Sequence, residues 1–226
     1  MLLLIFQEIS VYLTFLIIVF NIGVYMYKVG FCGMSHLGLC YSAAAADKGF
    51  GVVCYDFNAD IINNLKKNKV GIAEPKLQYF IKKNSREILY TNKLEDLSHC
   101  DLVYFSFDVT TDQVDKSKHE LLNVNLKKLI STLKEKIPLI ILSQVPPGYT
   151  REYYKTRANL FYQVETLVYG DAMKRALFPE RIIVGCNHSK IKLPNSYKYF
   201  LKSFRCPIFL MKFESAELAK IAINCY

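Results

Sequence analysis

Residues Val29-Gly-Phe-Cys-Gly33-Met-Ser-His-Leu-Gly38-Leu39 carry an apolar strand into a glycine-containing turn and then into the helix-like stretch Cys40-Tyr-Ser-Ala-Ala-Ala-Ala46. A second short apolar run, Gly51-Val-Val-Cys-Tyr55, ends in Asp56. Strand, tight turn, helix and second strand in this order make the opening unit of an α/β sheet. The turn also has a chemistry. Glycine lets the main chain approach a diphosphate, a helix start offers free N–H groups and partial positive charge, and an acid after the second strand can hold a ribose diol. These residues therefore read as a dinucleotide site formed by Gly33, Ser35, His36, Leu37, Gly38 and Asp56. The same pattern also describes a strand-to-helix turn with no ligand. Asp56 favours NAD over NADP, because a carboxylate repels a 2′-phosphate and the following Phe57 and Asn58 supply no cation.

The remaining chain repeats the theme. Helix patterns fall near Ala59–Lys67, Lys76–Lys83, Leu121–Leu133, Arg151–Arg157, Asp171–Leu177 and Tyr197–Phe204. Between them lie strand patterns at Ile88–Thr91, Asp101–Ser106, Leu139–Ser143, Leu160–Val164, Arg181–Cys186 and Pro207–Met211. Near-continuous apolar strands alternating with helices predict a Rossmann-type, doubly wound parallel sheet covered on both faces, with ligands at the strand carboxyl ends. The turn Gln144-Val-Pro-Pro-Gly-Tyr-Thr150 falls at that edge. Residues 214–226 read as a helix with a serine, Ser215, as candidate N-cap.

With 226 residues, 52% of them hydrophobic and 22% charged, the chain can bury a full globular core. Its net charge of +9 comes from scattered lysines, as in Asn63–Lys69, and no basic stripe interleaves with aromatics, so nucleic acid is not an expected partner. Seven cysteines without a CxxC pair indicate a reducing compartment, and four dispersed histidines give no metal site.

The amino-terminal stretch admits two readings. From Ile9 to Tyr27 only Ser10, Thr14 and Asn21 are polar, and about 19 such residues can span a bilayer as a helix. That reading makes residues 9–27 a membrane anchor, with Lys28 and the lysine-rich chain beyond on the cytoplasmic side. On the other reading Met26 is the natural start and 1–25 an upstream extension. The expected organisation is thus 1–25 as a hydrophobic segment, 26–212 as the cofactor domain and 213–226 as the start of a linking helix.

Two polar groupings stand out. Lys220 and Asn224 are four residues apart and share a helix face, with Glu217 three before Lys220. That face is either a solvent-facing Glu217–Lys220 ion pair or an ammonium and an amide set to stabilise an oxyanion. Glu165, at a strand end, is either a general base or a carboxylate satisfying helix-start N–H groups.

In order, these segments resemble the UDP-glucose/GDP-mannose dehydrogenase family over residues 26–226. Gly33-Met-Ser-His-Leu-Gly38-Leu39 stands at its GxGxxGL, Asp56 at its ribose acid and Glu74-Pro-Lys-Leu77 at its EPGL loop. Ser143-Gln-Val-Pro-Pro-Gly-Tyr-Thr150 is similar to STVPPGTT, Glu165–Ala172 to EFLREGxA, Phe178–Gly185 to NPDRIVIG and Ser215–Asn224 to SAELxKxxxN. The resemblance implies NAD-dependent, four-electron oxidation of a nucleotide sugar at C6, with UDP-glucose as the family default. It implies catalytic roles for Glu165, Lys220 and Asn224, and a substrate wall of Glu165, Thr166, Leu167 and Lys220. Ser106 and Ser143, at strand ends, complete the expected cofactor set, and two copies are expected to pair through the central helix.

Three departures bear on turnover: Gln144 for a threonine, Ser106-Phe-Asp-Val109 for an apolar-Pro-Thr-Pro run, and Ser35 for glycine. The family's nucleophilic cysteine lies in a glycine-rich segment of a later domain with no counterpart before Tyr226, so the expectation is half an enzyme. Two other readings use the same residues. A β-hydroxyacid dehydrogenase also carries a Lys-x-x-x-Asn helix, but the Pro-Pro-Gly turn and the Glu165 and Pro-Glu-Arg segments argue against it. A non-catalytic, membrane-tethered nucleotide-binding module needs only the glycine turn and the amino-terminal stretch.

Overall fold

In the computed structural model, which describes residues 26–108 and 116–225, the apolar runs form one eight-stranded sheet. Its strands are β1 (Lys28–Cys32), β2 (Gly51–Tyr55), β3 (Ile88–Thr91), β4 (Leu102–Phe105), β5 (Leu139–Ile141), β6 (Leu160–Gln163), β7 (Ile182–Cys186) and β8 (Ile208–Lys212), in the order β3-β2-β1-β4-β5-β6-β7-β8. Successive side chains of a strand face opposite ways. Accordingly β4 sends Leu102 and Tyr104 into one core and Val103 and Phe105 into the other. Two apolar layers are the reason the strands lack polar alternation.

The helices are α1 (His36–Asp47), α2 (Ala59–Lys66), α3 (Leu77–Lys83), α4 (Lys116–Thr132), α5 (Tyr149–Tyr154), α6 (Ala172–Leu177), α7 (Asn195–Lys202) and α8 (Phe213–Asn224). Helix α1 is buried from His36 to Ala46, because it lies on the sheet and is covered by α3 and α6. Its alanine run permits that close packing, and a helix apolar on all sides belongs in such a layer. Helix α2 is amphipathic instead, burying Ile62 and Leu65, and the Asn58 side chain caps it by accepting the Asp60 N–H at 2.9 Å. On the opposite face α4 contributes Leu122, Leu126 and Leu129.

The sheet corrects the all-parallel expectation at one junction. Strands β6 and β7 are antiparallel, with Tyr162 opposite Gly185, and β8 runs with β7. The chain after β6 turns back at the carboxyl edge through the short α6 rather than crossing the sheet, so β7 begins where β6 ended. Strand β8 then finishes at the far edge, and α8 climbs back towards the carboxyl ends of β5 and β6. Helix α8 also starts differently from the expectation. Lys212 occupies its N-cap position without a side-chain bond, and Ser215 lies inside the first turn. A short 3-10 helix at Leu94–His99 was not anticipated.

Among the described residues no helix is long and apolar enough to cross a membrane. The expected anchor lies outside the described residues except for Met26 and Tyr27, at the approach to β1.

Candidate functional site

Strands β1 and β4 are neighbours where the strand order reverses, and a crevice for a ligand opens at the carboxyl ends of such a pair. The glycine turn forms one wall. Gly33 adopts φ +110°, and a Cβ on it would meet the Phe107 ring at 2.9 Å. Gly38 is tighter still, since a Cβ there would sit 1.8 Å from the Gly33 carbonyl oxygen. Helix α1 thus starts in direct contact with the turn, an approach open only to glycine, and its amino end lies at the crevice.

Asp56 is fixed before any ligand arrives. Its Oδ2 accepts the Met34 N–H at 2.7 Å and its Oδ1 the Asn58 N–H at 2.8 Å. Each oxygen retains acceptor capacity for a hydroxyl. Beside the turn a cavity of about 420 Å³ is lined by Met34, Ser35, Leu39, Ile61, Leu65 and Ile72. The close glycine contact, the oriented acid and this apolar space fit a dinucleotide.

Several residues expected to touch the cofactor act through the main chain instead. The Ser106 hydroxyl is sealed in and donates to the Gly33 carbonyl at 3.0 Å, while the buried Ser143 hydroxyl donates to the Phe105 carbonyl at 3.4 Å. Ser35 Oγ donates to the Ser106 carbonyl at 2.9 Å and accepts the Asp108 N–H at 3.1 Å. These hydroxyls brace the crevice. The Leu37 side chain is buried, and its N–H is directed at Asp108 Oδ2 at 3.5 Å. His36 faces away from the turn, with Nε2 2.9 Å from Glu74 and its ring stacked on Tyr169 at 4.1 Å.

Asp108 was missed from sequence. Its carboxylate stands at the amino end of α1, where the phosphates of a dinucleotide are favoured. Crowding by protein raises its pKa above the ordinary aspartate value, against hydrogen bonds from Ser35 and Leu37 that lower it. It is a competitor for the anion site.

The second polar grouping gathers at the β6 end. Lys220 Nζ is paired with the Glu165 carboxylate and donates to Asn224 Oδ1 at 2.8 Å, and Asn224 Nδ2 donates to Gln144 Oε1 at 2.8 Å. Lys220 is 3% exposed, so this ammonium is held by partners rather than by water. Glu165 Oε2 also accepts the Leu167 N–H at 2.8 Å, which orients the carboxylate in its loop; α6 begins only at Ala172, so Glu165 is not a helix-start acid.

The Glu217–Lys220 surface pair is corrected. Glu217 is fully buried, and its two oxygens accept the Gly148 N–H at 2.6 Å and the Thr150 N–H at 2.8 Å. Helix α8 lies against the Pro-Pro-Gly turn, and the start of α5 offers N–H groups that its own turn leaves free. Glu217 therefore pins α8 in height, which sets where Lys220 and Asn224 emerge. Tyr162 lies in the same buried layer; burial, then the charges of Glu217 and Glu165, push its hydroxyl pKa up. Beyond Lys220 and Asn224 opens a cleft of about 680 Å³, walled by Thr166 and Leu167, with Lys174 and Arg175 among its lining residues.

A family model described as "UDP-glucose/GDP-mannose dehydrogenase family, NAD binding domain" matches residues 27–201. The chain belongs to this family. Its cofactor is NAD, and the crevice at β1 and β4 is the switch point at which doubly wound α/β sheets in general take dinucleotides. The chain is 26% identical over 212 residues to a UDP-glucose 6-dehydrogenase of Campylobacter jejuni, covering 88% of this chain and 52% of that protein. To a UDP-N-acetyl-D-mannosamine dehydrogenase of Methanococcus maripaludis it is 24% identical over 207 residues, covering 88% and 48%. Among solved structures, a UDP-glucose dehydrogenase from Pyrobaculum islandicum superposes with a TM-score of 0.73 at 22% identity, covering 89% of this chain and 50% of that one. This likeness shows the fold. The chain spans about half the length of these relatives.

Proposed function

We propose that this chain is the cofactor-binding part of a nucleotide-sugar 6-dehydrogenase of the UDP-glucose type, oxidising the sugar C6 alcohol through the aldehyde to the carboxylate. The observation that carries the reading is the buried Lys220 ammonium, held between the Glu165 carboxylate and the Asn224 amide on the same sheet edge as the glycine turn. The family relatives named above act on UDP-sugars, which supports the substrate class.

When bound, NAD accepts hydride from the sugar carbon. The chain supplies the rest of what is needed beside that carbon. Glu165 removes the hydroxyl proton and later assists water. Lys220, buried, and Asn224, oriented by Gln144, stabilise the oxyanion that develops. Thr166 and Leu167 form the substrate wall. Gly33, Ser35, Leu37, Gly38 and Asp56 hold the cofactor through main chain and carboxylate, while His36, Ser106 and Ser143 support them from behind.

Five of the seven cysteines are unsuited to the thiol step implied by the family resemblance. Burial raises the pKa of Cys32, Cys40, Cys54, Cys100 and Cys186, with Cys54 and Cys100 reaching about 12, so these are poor nucleophiles. Exposed Leu218 and Ile223 on α8 support pairing of two copies through that helix.

Calorimetric titration of the full chain tests the reading, with NAD first and UDP-glucose second at saturating NAD. Lys220→Met is expected to leave NAD affinity within about twofold and to weaken UDP-glucose by about tenfold or more, the loss of one charge-assisted hydrogen bond. UDP-glucose binding indifferent to Lys220 sinks the proposed site. Binding of GDP-mannose in place of UDP-glucose moves the sugar assignment but keeps the site.

A further inference from the structure

Glu74 sits in the loop before α3, and the functional reading above gives it no task. Its side chain is sealed from solvent, and it joins two segments distant from it in sequence. Glu74 Oε2 lies 2.9 Å from His36 Nε2 and accepts the Gly170 N–H at 3.0 Å, while Oε1 accepts the Ala172 N–H at 2.9 Å. Burial alone would raise its pKa, but the Gly170, His36 and Ala172 bonds outweigh that and hold the carboxyl below the ordinary glutamate value. The acceptor is therefore ionised across the neutral range.

The partners are the two halves of the site. His36 is the first residue of α1, next to Ser35 in the glycine turn. Gly170 and Ala172 end the loop that begins at Glu165 and carries Thr166 and Leu167. Lys220 holds that loop at its start and Glu74 holds it at its end. Tyr169 adds a second link, its ring stacked on His36. The amino end of α1 is thus joined through one buried carboxylate to the end of the loop that begins at Glu165.

We propose that Glu74 is a positioning residue that couples occupancy of the glycine turn by NAD to the order of the 165–172 loop. This coupling rests on the NAD site alone and is indifferent to which sugar the cleft accepts. A carboxylate that served only as a local cap would fix Gly170 and Ala172 equally with and without cofactor. A coupling residue makes their stability depend on NAD, and linkage requires the reverse effect as well.

Amide hydrogen exchange of the full chain, with and without saturating NAD, separates the two. In the wild type NAD is expected to slow exchange at Gly170 and Ala172 by about fivefold or more, the lower end of measured couplings. In Glu74→Gln these amides exchange faster and the NAD effect is expected to vanish, although titration still detects NAD binding. His36→Phe keeps a ring against Tyr169 and removes only the Glu74 contact. Measured at NAD saturation, it is expected to reduce the NAD effect by about half, and it provides the readout if Glu74→Gln does not fold. An NAD effect absent from the wild type, or equal in size in the wild type and both variants, overturns the proposal. Failure of UDP-glucose to bind would leave this result untouched.

Discussion

At the β1 end of the carboxyl edge the site is made of main chain, whereas at the β6 end it is made of side chains delivered by three separate segments. Gly33 and Gly38 shape the first end by what they lack, and Asp56 is oriented by N–H groups within three residues of the ends of β1 and β2. The second end needs Gln144 after β5, Glu165 after β6, and Lys220 and Asn224 from α8 to arrive together. A backbone cradle tolerates changes around it so long as its glycines remain. A side-chain cluster depends on the height and angle of every element that contributes, which is why Glu217, far from any ligand in role, matters to it.

The contrast can be broken first at Gly38. Gly38→Val drives carbon into the Gly33 carbonyl, and with no flexible side chain to yield, α1 must lift from β1. The expected loss is about 3 kcal/mol, the upper range for overpacking, together with loss of NAD binding, read by urea unfolding and titration of the full chain. A loss below about 1 kcal/mol would show that the cradle is more forgiving than its geometry.

The second end is probed by Glu217→Ala, which leaves the half-buried Gly148 N–H and the buried Thr150 N–H without an acceptor. About 2 kcal/mol of stability should go, from a cost of about 1–3 kcal/mol per unsatisfied group reduced by local relaxation. UDP-glucose affinity should fall while NAD affinity holds. Glu217→Gln, keeping one acceptor, should fall in between. A change no larger than that of a surface substitution, about 0.5 kcal/mol, would mean that α8 is set by its apolar face alone.

The smallest effect sharpens the first end. Asp108→Asn removes the charge competing for the amino end of α1 and should tighten NAD about two- to fivefold, the worth of one helix-end charge. The pH dependence has a definite sign. Because the folded pKa of Asp108 is raised, its ionised form is the one the fold disfavours at neutral pH, and that cost is relieved as pH falls towards the raised value. Wild-type NAD affinity should therefore rise on mild acidification, and the rise should be absent in Asp108→Asn. An equal rise in both would remove Asp108 from the anion site.

The opening unit was legible because its signals are local. Gly33, Gly38 and Asp56 occupy positions that any strand-turn-helix-strand unit assigns by count, and the strands betray burial by composition. The side chains of His36, Ser106 and Ser143 bond to Glu74, Gly33 and Phe105; sequence spacing says which turn a side chain joins and not which way it faces. His36 turned to Glu74 because that buried carboxylate needed a donor, a fact set 38 residues away. Glu217 and Lys220 illustrate the same limit on a helix. Their spacing permits a surface ion pair, yet each found a stronger partner in a different loop.

By itself the sequence determined the layered α/β architecture, the glycine turn and the residue types available for catalysis, because strand and helix periods and glycine sterics act over a few residues. Only the tertiary structure decided the antiparallel return at β7, and with it the direction from which α8 reaches the edge. That direction brings Lys220 to Glu165 and Glu217 to Gly148. Buried charges must be paired, and which charges become neighbours depends on how distant elements pack, a choice that no local pattern encodes.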